Sequence, residues 1–123
     1  MLGGFDWERL RVLLESVRAG APLHYSVSDF DGVTRSVVDD ELPQVVIVEG
    51  VRLLGRELDR YFDLRVWIDC SLEIAAARGM RRDREDGCDA AHLAIWAREW
   101  VPKDRRYFDA HRPDLAAEVT YPA

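Results

Sequence analysis

Val45, Val46, Ile47 and Val48 stand in unbroken succession and are followed by Glu49 and Gly50. Four β-branched side chains in a row favour an extended backbone and leave no polar face. A strand of that kind hides both of its faces, which is the habit of a parallel sheet rather than of a hairpin. Pro43 introduces the run, and a second extended stretch follows at Leu64-Arg65-Val66-Trp67-Ile68-Asp69. Between them, residues 53–61 read as a short helical crossover, the connection that parallel neighbours require.

The other segments fit around these two strands. Trp7, Leu10, Leu13, Leu14 and Val17 recur at helical spacing, with Asp6 placed as an N-cap and Gly20 as a C-terminal stop. Residues 25–38 hold two short extended segments around Asp31-Gly32, a dipeptide suited to a hairpin turn. Ser71 caps a helix that runs through Leu72, Ile74, Ala75 and Ala76 into an arginine cluster, and Gly87 closes it or the loop after it. Residues 90–100 are helical again, and Pro102 disturbs the helix near Val101. A helix resumes through Tyr107 to His111 ahead of Pro113, and residues 118–121 form a last short strand. Strands alternating with helices make the chain α/β with a mainly parallel sheet. No repeat or linker divides the 123 residues, so a single domain is expected.

Charge narrows the choice of ligand. The net charge of −6 argues against a nucleic-acid binder, which needs a basic face for the phosphates. No apolar run is long enough to cross a bilayer, no secretory leader is evident, and Cys70 and Cys88 are too far apart for a CxxC motif. A reduced, cytoplasmic protein is the reading. Basic residues nonetheless cluster at Arg78, Arg81, Arg82 and Arg84, and again at Lys103, Arg105 and Arg106. A local basic patch on an acidic protein suits a small polyanion.

Three places could carry chemistry. Glu49 ends a strand where α/β sheets gather their ligands, and a carboxylate there could hold the water shell of Mg2+ or orient a hydroxyl. Arg78 and Arg82 are four residues apart, hence on one helix face, with Arg81 beside them; guanidinium groups there could clamp phosphate oxygens. The alternative for them is a solvated face, or pairing with Asp83, Glu85 and Asp86. On the hairpin, Asp29, Asp31 and Arg35 could meet a polar ligand, although turns favour aspartate for backbone reasons alone. His24, His92 and His111 lack metal-ligand spacing. Trp96, Trp100, Tyr107 and Phe108 read as core packing.

Taken in order, several of these segments resemble the uridine kinase and phosphoribulokinase group of P-loop kinases. The resemblance rests on Val27-Ser28-Asp29-Phe30 with Arg35, Val46-Ile47-Val48-Glu49-Gly50, residues 62–69, Arg78-Gly79-Met80-Arg81-Arg82-Asp83, and a closing Arg112-Pro113. It implies a partial P-loop NTPase, nucleoside-kinase-like three-layer fold over residues 1–123, with the hairpin at 24–38 and a lid region at 72–88. It further implies Mg2+- and ATP-dependent phosphorylation of a hydroxyl on a nucleoside-like small molecule. Glu49 falls on the family's acidic position near metal and phosphates, so it is the candidate catalytic and water-mediated metal residue. Arg78, Arg82 and Arg81 fall on the phosphate-contacting lid helix, and Asp29, Arg35 and Tyr25 on the hairpin that holds the acceptor.

The chain also departs from that family. Ser28 and Thr34 replace the residues usually found before Asp29 and Arg35, and Glu85-Asp86-Gly87-Cys88 replaces the usual lid ending. The sequence contains no GxxxxGK[ST], so the family's N-terminal βαβ unit is expected to be missing and activity to be weak or absent. In the family the phosphate-loop strand lies between the strands that are here 45–48 and 64–68. Without it, these two should pair directly or borrow a strand from another copy, which favours a homodimer. The competing reading is a non-catalytic remnant that serves as an oligomerisation or partner-binding module.

Overall fold

Asp6 accepts a hydrogen bond from the backbone N–H of Arg9 at 3.0 Å and so starts helix α1, Trp7–Ala19. Gly20 ends it with φ +65°, and its N–H returns to the carbonyls of Ser16 and Val17. A side chain at that φ is strained, so glycine is the residue that closes the helix without penalty. These are contacts of a computed structural model that describes residues 6–28 and 32–123. The backbone gathers into two compact units, Met1–Glu49 and Gly50–Ala123, and each is taken by itself.

In the first unit, α1 turns Leu14 into a buried position while Leu10, Leu13 and Val17 are half-buried. Next come β1, Leu23–Ser28, and β2, Thr34–Asp39, paired antiparallel with Leu23 opposite Asp39 and Ser28 opposite Thr34. The expected hairpin therefore forms. Its turn, including Asp29 and Asp31, lies outside the described residues, and Gly32 follows at φ +80°.

The strand expected at residues 45–48 is a correction. These residues belong to no strand among the described residues, and Val45 and Ile47 are 72% and 87% exposed. Composition favours an extended backbone there, but a strand needs a neighbour to take up its N–H and C=O groups, and no strand among the described residues is paired with it.

In the second unit a turn at 51–54 and a 3-10 helix, Arg56–Tyr61, replace the expected α-helical crossover, burying Leu53, Leu58 and Tyr61. Strand β3, Val66–Asp69, is shorter than its apolar run and leads to helix α2, Leu72–Glu85. Ser71 caps that helix by accepting from the N–H of Ile74 at 3.2 Å. Helix α3, Ala90–Ile95, then passes into a π-helical segment, Trp96–Trp100, and on into α4, Val101–His111. Pro102 supplies the reason: it has no N–H for the carbonyl four residues back, and its ring crowds that carbonyl. The helix widens here instead of breaking, so the disturbance expected at Val101 takes the form of a π turn.

After α5, Pro113–Ala116, strand β4, Val119–Pro122, lies parallel to β3 with Val66 opposite Val119 and Ile68 opposite Tyr121. The architecture is thus mixed α/β, with one parallel and one antiparallel pair rather than one mainly parallel sheet. One face of the β3–β4 pair meets the helices: the Trp67 ring lies 5.9 Å from Phe108 of α4. Arg65 ties the start of β3 to its surroundings. Its Nη1 meets Asp59 at 2.7 Å, its backbone N–H donates to Glu118 at 2.7 Å, and its guanidinium also donates to Glu118. Two arginines hold positive φ, Arg52 at +60° and Arg112 at +45°. Each is pinned by a carboxylate, Asp104 at 2.7 Å and Asp114 at 2.6 Å.

Candidate functional site

Helix α2 separates its residues by face. Ala76, Gly79 and Asp83, spaced by three and four, are buried against the helices that follow, and α2 packs on α3 and α4. Arg78, Arg81 and Arg82 fall on the opposite side and are exposed. The expectation that Arg78 and Arg82 share a face, with Arg81 beside them, is therefore met by the helix. Gly79 lets the helix approach its neighbour: a Cβ there would stand 2.1 Å from Cη2 of Trp96.

The arginines are not all bare. Arg82 donates to Oδ1 of Asp83 from Nε at 3.3 Å and Nη2 at 3.0 Å. Arg81 stands 3.9 Å from Glu85, a loose and largely exposed pair of small energetic weight. Nη1 of Arg78 lies 3.9 Å from Sγ of Cys70. Of the three pairings weighed for this cluster, those with Asp83 and Glu85 form.

Asp83 is the residue the sequence did not single out. Its Oδ2 accepts from the indole N–H of Trp96 at 2.8 Å and sits 3.2 Å from Nε2 of His92. The Trp96 hydrogen bond, reinforced by Arg82 and His92, holds its carboxyl below the ordinary carboxylate value despite burial. Around it, the Trp96 and Trp100 rings meet edge to face at 4.9 Å, and His92 meets Trp100 at 5.6 Å. Trp96 and Trp100 are thus packing residues, as expected, but Trp96 also anchors a buried charge. The signal lay in the spacing: residues 76, 79 and 83 recur as a helix's inner stripe, and a carboxylate on that stripe calls for donors.

On the hairpin, Tyr25 and Arg35 lie on one face of β1–β2, since Tyr25 is opposite Val37 and Arg35 opposite Val27. The Tyr25 hydroxyl donates to Oδ2 of Asp39 at 3.1 Å, and this bond to a carboxylate raises the phenol above its ordinary value. Asp29 lies outside the described residues. Glu49 is exposed. It belongs to the first unit with Tyr25 and Arg35, whereas the three arginines belong to the second.

Among the described residues no group of three or more His, Cys, Asp or Glu side chains is placed to hold a metal ion. A single exposed carboxylate such as Glu49 suits only Mg2+ that arrives with phosphate oxygens and keeps most of its waters. Likewise, no helix among the described residues is long and apolar enough to cross a membrane. No protein-family model matches the chain.

Proposed function

We propose that the chain is the acceptor and lid portion of a uridine-kinase-like phosphotransferase, acting with ATP and Mg2+ on a hydroxyl of a nucleoside-like small molecule. The observation that carries the reading is the face of α2. Arg78, Arg81 and Arg82 are exposed along a helix whose inner side is fixed by Asp83 and Trp96, Arg82 itself donating to Asp83. Planar, always-charged donors on a rigid support suit the oxygens of a triphosphate. The parallel pairing of β3 with β4, across a connection that runs through α2, α3, α4 and α5, is in keeping with the same reading, because parallel neighbours joined by helices are the habit of α/β folds. Glu49 would meet the metal's water shell, while Asp29, Tyr25 and Arg35 would hold the acceptor. With no GxxxxGK[ST] in the sequence, nucleotide binding is expected from the guanidinium groups and turnover to be weak or absent. Isothermal calorimetry of the chain with Mg-ATP tests this directly. Saturable heat that R78A and R82A each diminish supports the reading, and no heat above dilution removes it.

A second reading, a partner-binding or oligomerisation module without catalysis, is favoured by one observation: the apolar residues Val45 and Ile47 are 72% and 87% exposed.

A further inference from the structure

Asp104, Tyr107, Phe108 and His111 recur at three and four residues along α4, and all are half-buried. The turn at 51–54 is fastened to this stripe. Nε and Nη2 of Arg52 donate to Oδ1 of Asp104 at 2.8 and 2.7 Å, and Leu53 beside it is buried. Every residue of this contact belongs to the second unit.

Two features of the closed turn oppose it. Arg52 holds φ +60°, a left-handed backbone that is costly for any residue with a Cβ. The Tyr107 hydroxyl is buried and makes no hydrogen bond among the described residues. Burial pushes this phenol up to about 12, opposed by the Leu54 amide, while Glu57, Asp59 and Arg52 act on it through their charges. All four neighbours lie between residues 52 and 59, so this segment is what covers the hydroxyl. Nδ1 of His111, whose ring centre is 4.9 Å from that of Tyr107, is also buried without a partner. A buried polar atom left unpaired keeps the whole cost of leaving water.

From this balance we infer that residues 51–54 form a latch that opens while the rest of the second unit stays folded. The Arg52–Asp104 pair is its catch, and the Tyr107 hydroxyl is what it uncovers. Opening relieves the backbone of Arg52 and returns the hydroxyl to water. Closing gains one ion pair and the burial of one leucine. These opposing contributions are single interactions of similar size, which places a segment at the low-stability end of a fold. Past Gly55 the chain is held again, because Leu58 and Tyr61 are buried and Asp59 meets Arg65 at 2.7 Å. The movement therefore ends there. The inference does not rest on the kinase reading, since neither Glu49 nor an arginine of α2 takes part.

Nitration of the whole chain by tetranitromethane, mapped residue by residue with mass spectrometry, tests it. Tyr61, buried beyond the end of the latch, is the internal control for wider unfolding. In the wild type Tyr107 should react faster than Tyr61. D104N removes the catch and should speed nitration of Tyr107 on the order of tenfold, the worth of one charge-assisted bond, with Tyr61 unchanged. R52Q releases the same catch from the other side, and it decides alone if circular dichroism shows D104N unfolded. D109N, on the exposed side of α4, should leave both rates as they are. Rates at Tyr107 that neither D104N nor R52Q changes overturn the inference. So does a rise that Tyr61 shares, since the unit then opens as a whole, or one that D109N reproduces.

Discussion

The indole N–H of Trp96 donates to Oδ2 of Asp83 across 2.8 Å, tying the inner face of the arginine helix to the π-helical turn that follows α3. His92 occupies the same oxygen and Arg82 the other, so one carboxylate fixes the orientation of three side chains. Removing it strands donors in a half-buried setting. D83A should lower stability by about 2–3 kcal/mol, because unsatisfied buried donors cost more than the bond itself is worth. W96F, which removes the indole donor and trims the two-ring system to a phenyl, should cost at least the roughly 1 kcal/mol of that hydrogen bond. Urea unfolding measures both, and a D83A protein as stable as the wild type would contradict the network.

Gly79 gives a test of opposite sign to helix propensity. Alanine in mid-helix ordinarily gains about 1 kcal/mol over glycine. Here its Cβ would meet the Trp96 ring at 2.1 Å, and overpacking of this kind costs about 1–3 kcal/mol. G79A should therefore be destabilising in the wild type and stabilising in a W96A background. The thermal midpoints of the four proteins in that cycle decide it.

Gly20 isolates backbone strain. A Cβ there would touch nothing within 4 Å, yet φ is +65°. G20A should cost about 1 kcal/mol through φ alone, with no change in near-ultraviolet circular dichroism, and an unchanged midpoint would refute the left-handed cap.

Acid should unfold the second unit through its paired carboxylates. Hydrogen bonds from Arg65 hold Glu118 at about 2, far below its ordinary 4.5, and Trp96 first among its partners holds Asp83 below its ordinary 3.8. A depressed carboxylate stabilises the fold fully above its unfolded value, and that contribution disappears as pH falls through the folded one. Stability should therefore fall between about pH 4.5 and 2. E118Q should flatten the upper part of that decline, as followed by the unfolding midpoint against pH. A decline of unchanged shape in E118Q would contradict the role given to Arg65.

What could be read in the sequence was what local chemistry determines. Asp6 and Ser71 announce helix starts and Gly20 a helix end, because a cap is settled within four residues. Pro102 announced a disturbance but not its form, since the choice between a break and a π turn depends on how Trp96 and Trp100 pack. Residues 45–48 announced an extended apolar segment but not its exposure, because strand pairing is decided by distant chain. Asp83 was hidden among arginines that suggested a solvated surface, and only its spacing from Ala76 and Gly79 places it inside. Of the candidate residues, the shared face of Arg78 and Arg82 followed from helix geometry, whereas the surroundings of Glu49 depend on sheet pairing that composition does not encode.

The guanidinium face of α2 is the centre of the functional account, and its own resonances report on it. In a Mg-ATP titration followed by nitrogen-15 NMR, the side-chain Nε–Hε signals of Arg78, Arg81 and Arg82 should shift together along one saturating curve. Replacing Arg78 or Arg82 by alanine should weaken that curve by about 1.5–3 kcal/mol, the usual worth of a charge-assisted contact. Signals of these three arginines that stay fixed at saturating nucleotide would contradict the account.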